Sequence, residues 1–241
     1  GLVGSEMCIR DRYMNNIITG DKALTLMDKQ TLVIVVDTHR RSMVEFEEVL
    51  SASKSIVLID HHRRSEDFID NAVLTYHEPY ASSACEMVTE ILQYIQDNPK
   101  IGLKEAEALY AGIFLDTKGF TFKTGVRTFE AAAYLRRMGV DPVNIRRLFK
   151  TDIRDSVRLS KVISSAKIYR DNIAVAVCED TGKDLQVLVA KAADELLNIS
   201  GIEASFVIAR LGHKIIISGR SLETVNVQLI LERLGGGGHI T

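Results

Sequence analysis

Two short apolar runs rich in valine and isoleucine lie close together early in the chain, and each ends in aspartate. They are TLVIVVD (residues 31–37) and SIVLID (residues 55–60). Continuous apolar runs of this length predict strands of a parallel sheet that is buried on both faces. The segment between them, SMVEFEEVL, predicts a crossover helix that completes a βαβ unit.

Helical periodicity dominates the next stretch of the chain. Apolar residues between Ser82 and Gln96 recur on one helical face and predict an amphipathic helix. The segment LKEAEALYAGIFLDT predicts a second, largely buried helix. A third is predicted in TGVRTFEAAAYLRRMG, where Thr124 or Thr128 would cap the helix and Gly139 would end it.

The composition changes near residue 150. The segment KTDIRDSVRLSKVISSAKIY is polar at helical spacing and predicts a connecting helix over residues 151–171. Three strands follow in NIAVAVCE, IEASFVIARL and HKIIISGRS, with a helix in KDLQVLVAKAADELLNI. The sequence therefore predicts an α/β fold with a parallel-sheet domain over residues 13–150 and a smaller α/β domain over residues 172–241.

Both ends of the sequence have unusual features. GLVGSEMCIRDR (residues 1–12) lacks a hydrophobic period and the regional order of a signal peptide. It resembles a translated sequencing-adapter scar, so we exclude it from the predicted fold. The chain stops at GGGGHIT, and we expect a truncation at both ends.

Composition narrows the classes of function. A formal net charge of −2 and a pI near 6.3 provide no basic surplus for a long nucleic acid, although a small anionic ligand remains compatible. The 3 cysteines are scattered, so neither a disulfide framework nor a thiolate zinc site is predicted, and a reducing cytoplasm fits best. No apolar run approaches the roughly 20 residues that span a bilayer, and we expect this stretch to be soluble.

Acidic and imidazole side chains cluster at the predicted strand ends. Asp37 and Asp60 fall at the carboxyl ends of parallel strands, where ligands of such sheets bind. A lone aspartate there is more often a cap or turn former, but the adjacent His61 and His62 have no packing rationale. Carboxylate and imidazole together are a ligand set for manganese, iron or zinc. Asp116 lies in an apolar stretch, where either a cation or a salt bridge to a basic side chain would offset its desolvation.

Phosphate-binding candidates lie mainly near the end of the chain. The glycine run before His239 can turn successive backbone N–H groups toward an anion, although a flexible linker is the alternative. Arg220 follows a strand and either clamps a phosphate or is a solvated surface residue. Ser82 and Ser83 either contact a nucleotide or cap the helix that follows. The predicted substrate-binding residues are Ser82, Ser83, Arg220, Gly235, Gly236, Gly237, Gly238 and His239.

Five motifs occur in an order that resembles a known family. They are VVDTHR, DHHRR, PYASSACEMVTEIL, LYAGIFLDTKGFTFKTGVRTFEAAAYLRRMG and GGGGH. Together they resemble the DHH/DHH-associated phosphoesterases over nearly all of the chain after residue 20. The block FLDTKGFTFKTGVRTFEAA looks like the cyclic-di-AMP phosphodiesterases of the GdpP type more than like RecJ exonucleases or nano-RNases.

This resemblance implies a two-manganese centre between the domains, with Mg²⁺ or Co²⁺ as alternatives. Asp37 would bridge the ions, and His61 and Asp116 would be metal ligands. His62 would face the substrate phosphate, and Asp60 would orient the histidine pair. The implied reaction is hydrolysis of cyclic-di-AMP to linear pApA. The alternatives are an oligoribonuclease that acts on short RNA and a nucleotide-binding module without turnover.

One departure from the family pattern affects these expectations. The family carries an upstream His-x-x-x-Asp-x-Asp motif that supplies further metal ligands, and this chain has no such spacing. We therefore expect one half of the metal centre to be missing from these residues. The resemblance further implies a parent protein that is homodimeric and membrane-anchored, with its catalytic part in the bacterial cytoplasm.

Overall fold

The computed structural model describes residues 17–95, 101–170, 172–222 and 225–236. The chain divides into two compact units, the first ending at Phe149 and the second beginning at Lys150. Within the described ranges, no helix combines the length and the apolar character needed to cross a membrane. The excluded residues 1–12 lie outside these ranges.

The first unit is a three-stranded parallel sheet followed by a group of helices. The strands lie in the order β1-β2-β3, with Val36 paired to Ile59 and Asp60 paired to His77. The elements are α1 (Gly20–Leu26), β1 (Leu32–Val36), a 3-10 turn (Arg41–Met43), α2 (Glu48–Ala52), β2 (Ser55–Asp60), β3 (Leu74–His77), α3 (Ala84–Tyr94), α4 (Leu103–Asp116), α5 (Val126–Arg137) and α6 (Pro142–Leu148). The predicted α/β class is confirmed.

Strand β1 differs from the prediction that both faces of the sheet are buried. Leu32, Ile34 and Val36 are 51%, 55% and 50% exposed, whereas Val35 on the opposite face is buried. The cause is packing on one face, because Val35 lies in a core cluster with Leu50, Ile56, Leu58 and Ile69, whereas the face with Leu32, Ile34 and Val36 is left exposed. Hydrophobicity alone does not distinguish this strand from the central strand β2.

The predicted crossover helix over SMVEFEEVL is confirmed in its last part only. The segment forms the 3-10 turn and then the short helix α2. A tertiary contact accounts for the turn, because the Ser42 N–H and hydroxyl both donate to the carboxylate of Asp67. The strand β3 was not predicted, since Leu-Thr-Tyr-His is too short and too polar to stand out as an apolar run.

The N-cap of helix α5 lies between the two predicted caps, Thr124 and Thr128. Gly125 is the N-cap, and its N–H donates to Thr128 Oγ1 at 3.0 Å. Thr128 therefore lies inside the first turn and bonds back to the start of the helix, and Thr124 is not the cap. The predicted end at Gly139 agrees with its φ of 101°, a left-handed conformation that glycine adopts without steric cost.

The second unit is a four-stranded mixed sheet covered by helices. Its elements are α7 (Ile153–Ser164), β4 (Lys167–Tyr169), β5 (Ile173–Cys178), α8 (Leu185–Leu197), β6 (Ala204–Leu211), β7 (Lys214–Ser221) and α9 (Val227–Arg233). The strand order is β4-β5-β6-β7, and only β5 and β6 are parallel. The predicted connecting helix stops at Ser164, and its last predicted residues form β4.

Small side chains let helix α8 lie close to this sheet. Its buried Leu188 and Ala192 share a core with Ala174, Ala176 and Val207 of the strands. The guanidinium of Arg158 on α7 bonds the carboxylates of Asp180 and Asp184, which ties α7 to the loop before α8.

Candidate metal centre

Asp37 follows β1 at the carboxyl edge of the parallel sheet. Its φ of 64° is left-handed, a conformation that aspartate tolerates better than most residues. The Asp37 N–H donates to the Ile59 carbonyl at 3.0 Å, which fixes the turn beside the end of β2. Strained backbone held by neighbouring hydrogen bonds is common where a side chain must be aimed at a ligand.

The structure brings together Asp37, His61 and Asp116. His61 Nε2 lies 3.3 Å from Asp37 Oδ1 and 4.0 Å from Asp116 Oδ2. The other ring nitrogen, Nδ1, is 3.3 Å from the Ala81 carbonyl oxygen, which can only accept a hydrogen bond. If Nδ1 carries the proton of a neutral ring, Nε2 directs its lone pair toward two carboxylates. A cation at His61 Nε2 would offset the negative charge of the two carboxylates, and carboxylate with imidazole is a donor set that fits a divalent metal ion.

Electrostatics at the cluster support this assignment. Burial raises the pKa of Asp116, and the nearby Asp37 carboxylate raises it further, while His61, His62 and Lys123 oppose the shift. Burial, together with Asp116 and Asp37, also raises the pKa of the Cys85 thiol to about 12. Cys85 is therefore a neutral thiol at physiological pH and is not set up as a thiolate ligand.

His62 is held beside this cluster by Asp60. The fully buried Asp60 Oδ1 lies 2.7 Å from His62 Nδ1. Asp37, His61 and His62 each offer one donor atom, and these atoms lie close enough together to share an ion. The bond from Asp60 raises the pKa of His62 despite partial burial. Burial would raise the pKa of Asp60, but hydrogen bonds from His62 and His39 outweigh it and lower that pKa far below its usual range.

Asp60 contacts a different pair of histidines from the one predicted. Its second oxygen, Oδ2, lies 2.5 Å from Nδ1 of the buried His39. The ring of His61 is oriented instead by the Ala81 carbonyl. His39 is absent from the predicted site residues, although its place two residues after Asp37 is a signal in the sequence that could have identified it.

The loop after Asp116 has an unusual backbone. Lys118, Phe120 and Lys123 have φ values of 48°, 66° and 45°, and Gly119 has 73°. Thr117 holds this loop, since its carbonyl accepts from the N–H groups of residues 121 and 122, each at 2.9 Å. Left-handed conformations in residues with a side chain are costly, so surrounding contacts must hold this loop in its conformation next to the cluster.

Both predicted serines lie inside the protein. Ser83 is the N-cap of α3, and its Oγ accepts from the Glu86 N–H at 3.0 Å. The Ser82 hydroxyl donates to Glu86 Oε2 at 2.5 Å, and both serines are buried. These contacts favour the capping alternative, and contact between the serines and a substrate stays a prediction.

The remaining predicted residues belong to the second unit. Arg220 on β7 donates from Nε to Asp194 Oδ1 at 3.0 Å and from Nη1 to the Gly219 carbonyl at 2.9 Å. The Gly235 and Gly236 N–H groups donate to carbonyls of residues 232 and 231, so they end α9. Gly237, Gly238 and His239 lie outside the residues that the structure describes. A phosphate contact by this set stays a prediction.

Fold and site together define an α/β protein whose strand-end carboxylates and imidazoles form a candidate metal centre. The sequence matches the DHH family, N-terminal domain, over residues 3–113 and the DHHA1 domain over residues 170–241. The chain therefore carries a DHH N-terminal domain followed by a DHHA1 domain.

Two curated relatives are similar over nearly the whole chain. The cyclic-di-AMP phosphodiesterase GdpP of Geobacillus thermodenitrificans is 50% identical over 93% of this chain and 34% of its own length. The cyclic-di-AMP phosphodiesterase PdeA of Listeria monocytogenes is 45% identical over 95% of this chain and 35% of its own length. The chain thus spans about a third of the length of these relatives.

Two further similarities are more distant. The bifunctional oligoribonuclease and PAP phosphatase NrnA of Bacillus subtilis is 29% identical over 86% of this chain and 67% of its own length. The crystal structure of an exopolyphosphatase-related protein from Bacteroides fragilis has a TM-score of 0.75 at 23% identity, and covers 95% of this chain and 68% of that one. The second similarity supports the fold alone.

Proposed function

We propose that this chain is part of a phosphodiesterase that hydrolyses cyclic-di-AMP to linear pApA. The observation that carries the proposal is the position of two carboxylates beside one imidazole nitrogen, with Asp37 Oδ1 3.3 Å and Asp116 Oδ2 4.0 Å from His61 Nε2. It occurs in a chain that is 45% and 50% identical to two cyclic-di-AMP phosphodiesterases. A phosphodiester needs charge neutralisation and a nucleophile, and a carboxylate–imidazole metal centre supplies both.

The proposed metal is manganese, as a pair of ions in the intact centre, with Mg²⁺ or Co²⁺ as alternatives. Asp37 would bridge the ions, and His61 and Asp116 would each be a ligand of one of them. When bound, such ions lower the pKa of bound water and neutralise charge on the phosphate oxygens. The neutral thiol of Cys85 and the oxygen-rich donor set favour a hard cation over one that prefers sulfur.

The side chains around the metal ligands have separate proposed roles. Asp60 holds His62 by Nδ1, so the free His62 Nε2 is the atom available to a substrate phosphate. His62 is 55% exposed, which leaves room for that contact. Its raised pKa favours the protonated ring, which donates to an anionic oxygen.

Substrate contacts in the second unit form a further part of the proposal. Arg220, the run Gly235–Gly238 and His239 would bind the nucleotide, and Ser82 and Ser83 would assist from the first unit. We assign residues 13–150 to the DHH domain, 151–171 to the connection and 172–241 to the DHHA1 domain. The proposed parent protein is a membrane-anchored homodimer with this part in the bacterial cytoplasm.

A second candidate function is hydrolysis of short oligoribonucleotides. The similarity to NrnA, which is named an oligoribonuclease and covers 86% of this chain, favours it. The lower identity of 29%, against 45% and 50% for the two cyclic-di-AMP enzymes, places it second. A nucleotide-binding module without turnover is the remaining alternative.

The test measures hydrolysis of cyclic-di-AMP with Mn²⁺ by chromatography of the products. Two chains are compared, this one and the same chain extended by the upstream segment of the 50% identical relative. We expect the extended chain to form pApA and to lose that activity on His61→Ala. His213→Ala, in the turn between β6 and β7, is the matched control and should retain full activity.

Three outcomes distinguish the candidate functions. Formation of pApA from cyclic-di-AMP at a higher rate than cleavage of a linear RNA dinucleotide supports the main proposal. A preference for the linear RNA overturns it in favour of the oligoribonuclease. Binding of cyclic-di-AMP without turnover in both chains overturns it in favour of the binding module.

A further inference from the structure

We propose that His39 is a positioning residue that locks Asp60, and through Asp60 the ring of His62, in one orientation. The inference rests on the proposed function only for its effect on turnover. Its structural part concerns hydrogen bonds and proton positions within this chain and stands without any substrate. His39 is not proposed to touch substrate, because its side chain is only 1% exposed.

The tautomer of His39 follows from the group that faces its Nε2 atom. The backbone N–H of Ser65 donates to His39 Nε2 at 3.0 Å. A backbone N–H is always a donor, so Nε2 must be the unprotonated nitrogen. The proton of the neutral ring is then on Nδ1, where it points to Asp60 Oδ2 at 2.5 Å. His39 is thus a fixed Nδ1–H donor to the buried carboxylate.

The surroundings hold this ring in place from several sides. The His39 carbonyl accepts from the Ile69 N–H at 2.9 Å, and the Phe68 ring lies 5.2 Å from the His39 ring between centroids. The Ser65 hydroxyl is 2.9 Å from His39 Nε2 as well. His39 therefore connects the segment after β1 to the loop after His62. These contacts hold both segments beside the end of β2.

The hydrogen bonds of Asp60 also restrict the orientation of the His62 ring. Asp60 has two carboxylate oxygens, one on His39 Nδ1 and the other on His62 Nδ1 at 2.7 Å. With Oδ2 anchored, the carboxylate cannot rotate away from His62. His77 Nε2 lies 2.6 Å from the His62 carbonyl oxygen, so the main chain of His62 is held too.

A second group, His39, Asp60 and His77, has donor atoms close enough together to bind an ion. The proton positions show whether this group is a metal site or a set of supporting hydrogen bonds. His39 Nδ1 carries a proton, and the lone pair of His39 Nε2 accepts the hydrogen bond from the Ser65 N–H, so neither nitrogen has a free lone pair for a metal. His77 Nε2 must be protonated to bond the His62 carbonyl. The group is therefore a hydrogen-bonded support and not a second metal site.

The first test is nuclear magnetic resonance of the ring nitrogens in the whole 241-residue chain, without a paramagnetic ion. Long-range proton–nitrogen correlations separate protonated from unprotonated ring nitrogens. We expect His39 to show a protonated Nδ1 and an unprotonated Nε2. A protonated Nε2 on His39 would overturn the proposal. Ser65→Ala keeps the backbone donor and should leave this pattern unchanged.

Two substitutions then separate the effect of the hydrogen bond from His39 to Asp60 from the effect of the space that the His39 side chain fills. In His39→Asn, the side-chain amide can replace Nδ1–H as a donor to Asp60, whereas His39→Leu fills the space without a donor. The comparison is made at alkaline pH, where the His62 ring is neutral. We expect that ring to keep its proton on Nδ1 in the asparagine variant and to show a mixture of tautomers in the leucine variant. An unchanged His62 in the leucine variant would overturn the proposal. If that variant fails to fold, the wild-type and asparagine spectra still decide.

The second test is kinetic and uses the extended chain with cyclic-di-AMP and Mn²⁺. Removing a group that orients an active-site histidine typically costs about 10- to 100-fold in activity. We expect His39→Leu to lower kcat by that factor with KM within about 3-fold. His39→Asn should recover most of kcat, and equal loss in both variants would refute positioning. If the wild type has no turnover, the proposed function fails, while the nitrogen spectra still test the role of His39.

Discussion

Removing the charge of Asp116 should make the metal-free chain more stable and at the same time abolish metal binding. In Asp116→Asn the side chain keeps its shape and loses its negative charge. Burial and the neighbouring Asp37 both disfavour the Asp116 carboxylate, as its raised pKa shows. A carboxylate that stays charged at such a place destabilises the metal-free fold, and a bound cation would offset that cost.

The magnitude follows from the distances at His61. The two carboxylate oxygens lie 3.3 Å and 4.0 Å from the same nitrogen, so they are at most roughly 7 Å apart. Two unit charges at that separation repel by about 2 kcal/mol at an effective dielectric constant near 20, and by about 0.6 kcal/mol in water. Asp37 is 57% exposed, so screening applies and we expect a gain of about 1 kcal/mol.

The assay is urea unfolding of wild type and Asp116→Asn near pH 8, in EDTA and again in excess Mn²⁺. In EDTA the variant should unfold at higher urea with an unchanged slope. In Mn²⁺ at about 100 times its dissociation constant, wild type should gain about 2.7 kcal/mol and the variant almost none. Asp70→Asn, at an exposed position of the same unit, is the control and should behave like wild type.

The sign of the pH dependence adds a further check. A carboxyl whose pKa is raised on folding contributes its stability below the ordinary value of 3.8 and loses it as pH rises through the folded pKa. The advantage of the variant should therefore open as pH rises past that range. A variant that is less stable than wild type in EDTA would refute this reasoning and show that the carboxylate is paired within the protein.

Two other predictions concern stability away from the metal ligands. Hydrogen bonds from Arg158 lower the pKa of Asp180 to about 2, so this pair stabilises the second unit above pH 3.8 and loses that effect as pH falls toward 2. Acid unfolding followed by circular dichroism should shift to higher pH in Arg158→Gln and stay unchanged in Lys191→Gln, and an unshifted Arg158→Gln would contradict the pair. In Gly112→Ala, the new Cβ would lie 2.2 Å from Cys85 Sγ, and such overpacking costs about 1–3 kcal/mol in urea unfolding. Adding Cys85→Ala should recover part of that loss, whereas additive losses would show that the contact is not the cause.

The sequence predicted the elements whose signal is local. The apolar runs of β1 and β2 and the helical period of α3 and α4 are visible from neighbouring residues. Parallel strands share a carboxyl edge, so Asp37 and His61 were expected near each other, and the structure places them together.

Features that depend on distant contacts were not predictable in this way. The role of His39 depends on Ser65, which is 26 residues away and lies in a loop without a periodic pattern. The exposed face of β1 depends on what covers it, which hydrophobicity does not show. The 3-10 turn after β1 follows from a bond to Asp67, again a contact between separate segments.

The exposed face of β1 has a practical consequence for work with this chain. Among the residues that the structure describes, β1 is an edge strand with outward Leu32, Ile34 and Val36, and such an edge is a template on which a second molecule can add a strand. Concentrated solutions of the chain will therefore tend to self-associate at this edge. Charged residues are the device by which natural edge strands prevent such pairing, and Ile34 is the position where one lysine would interrupt the apolar row.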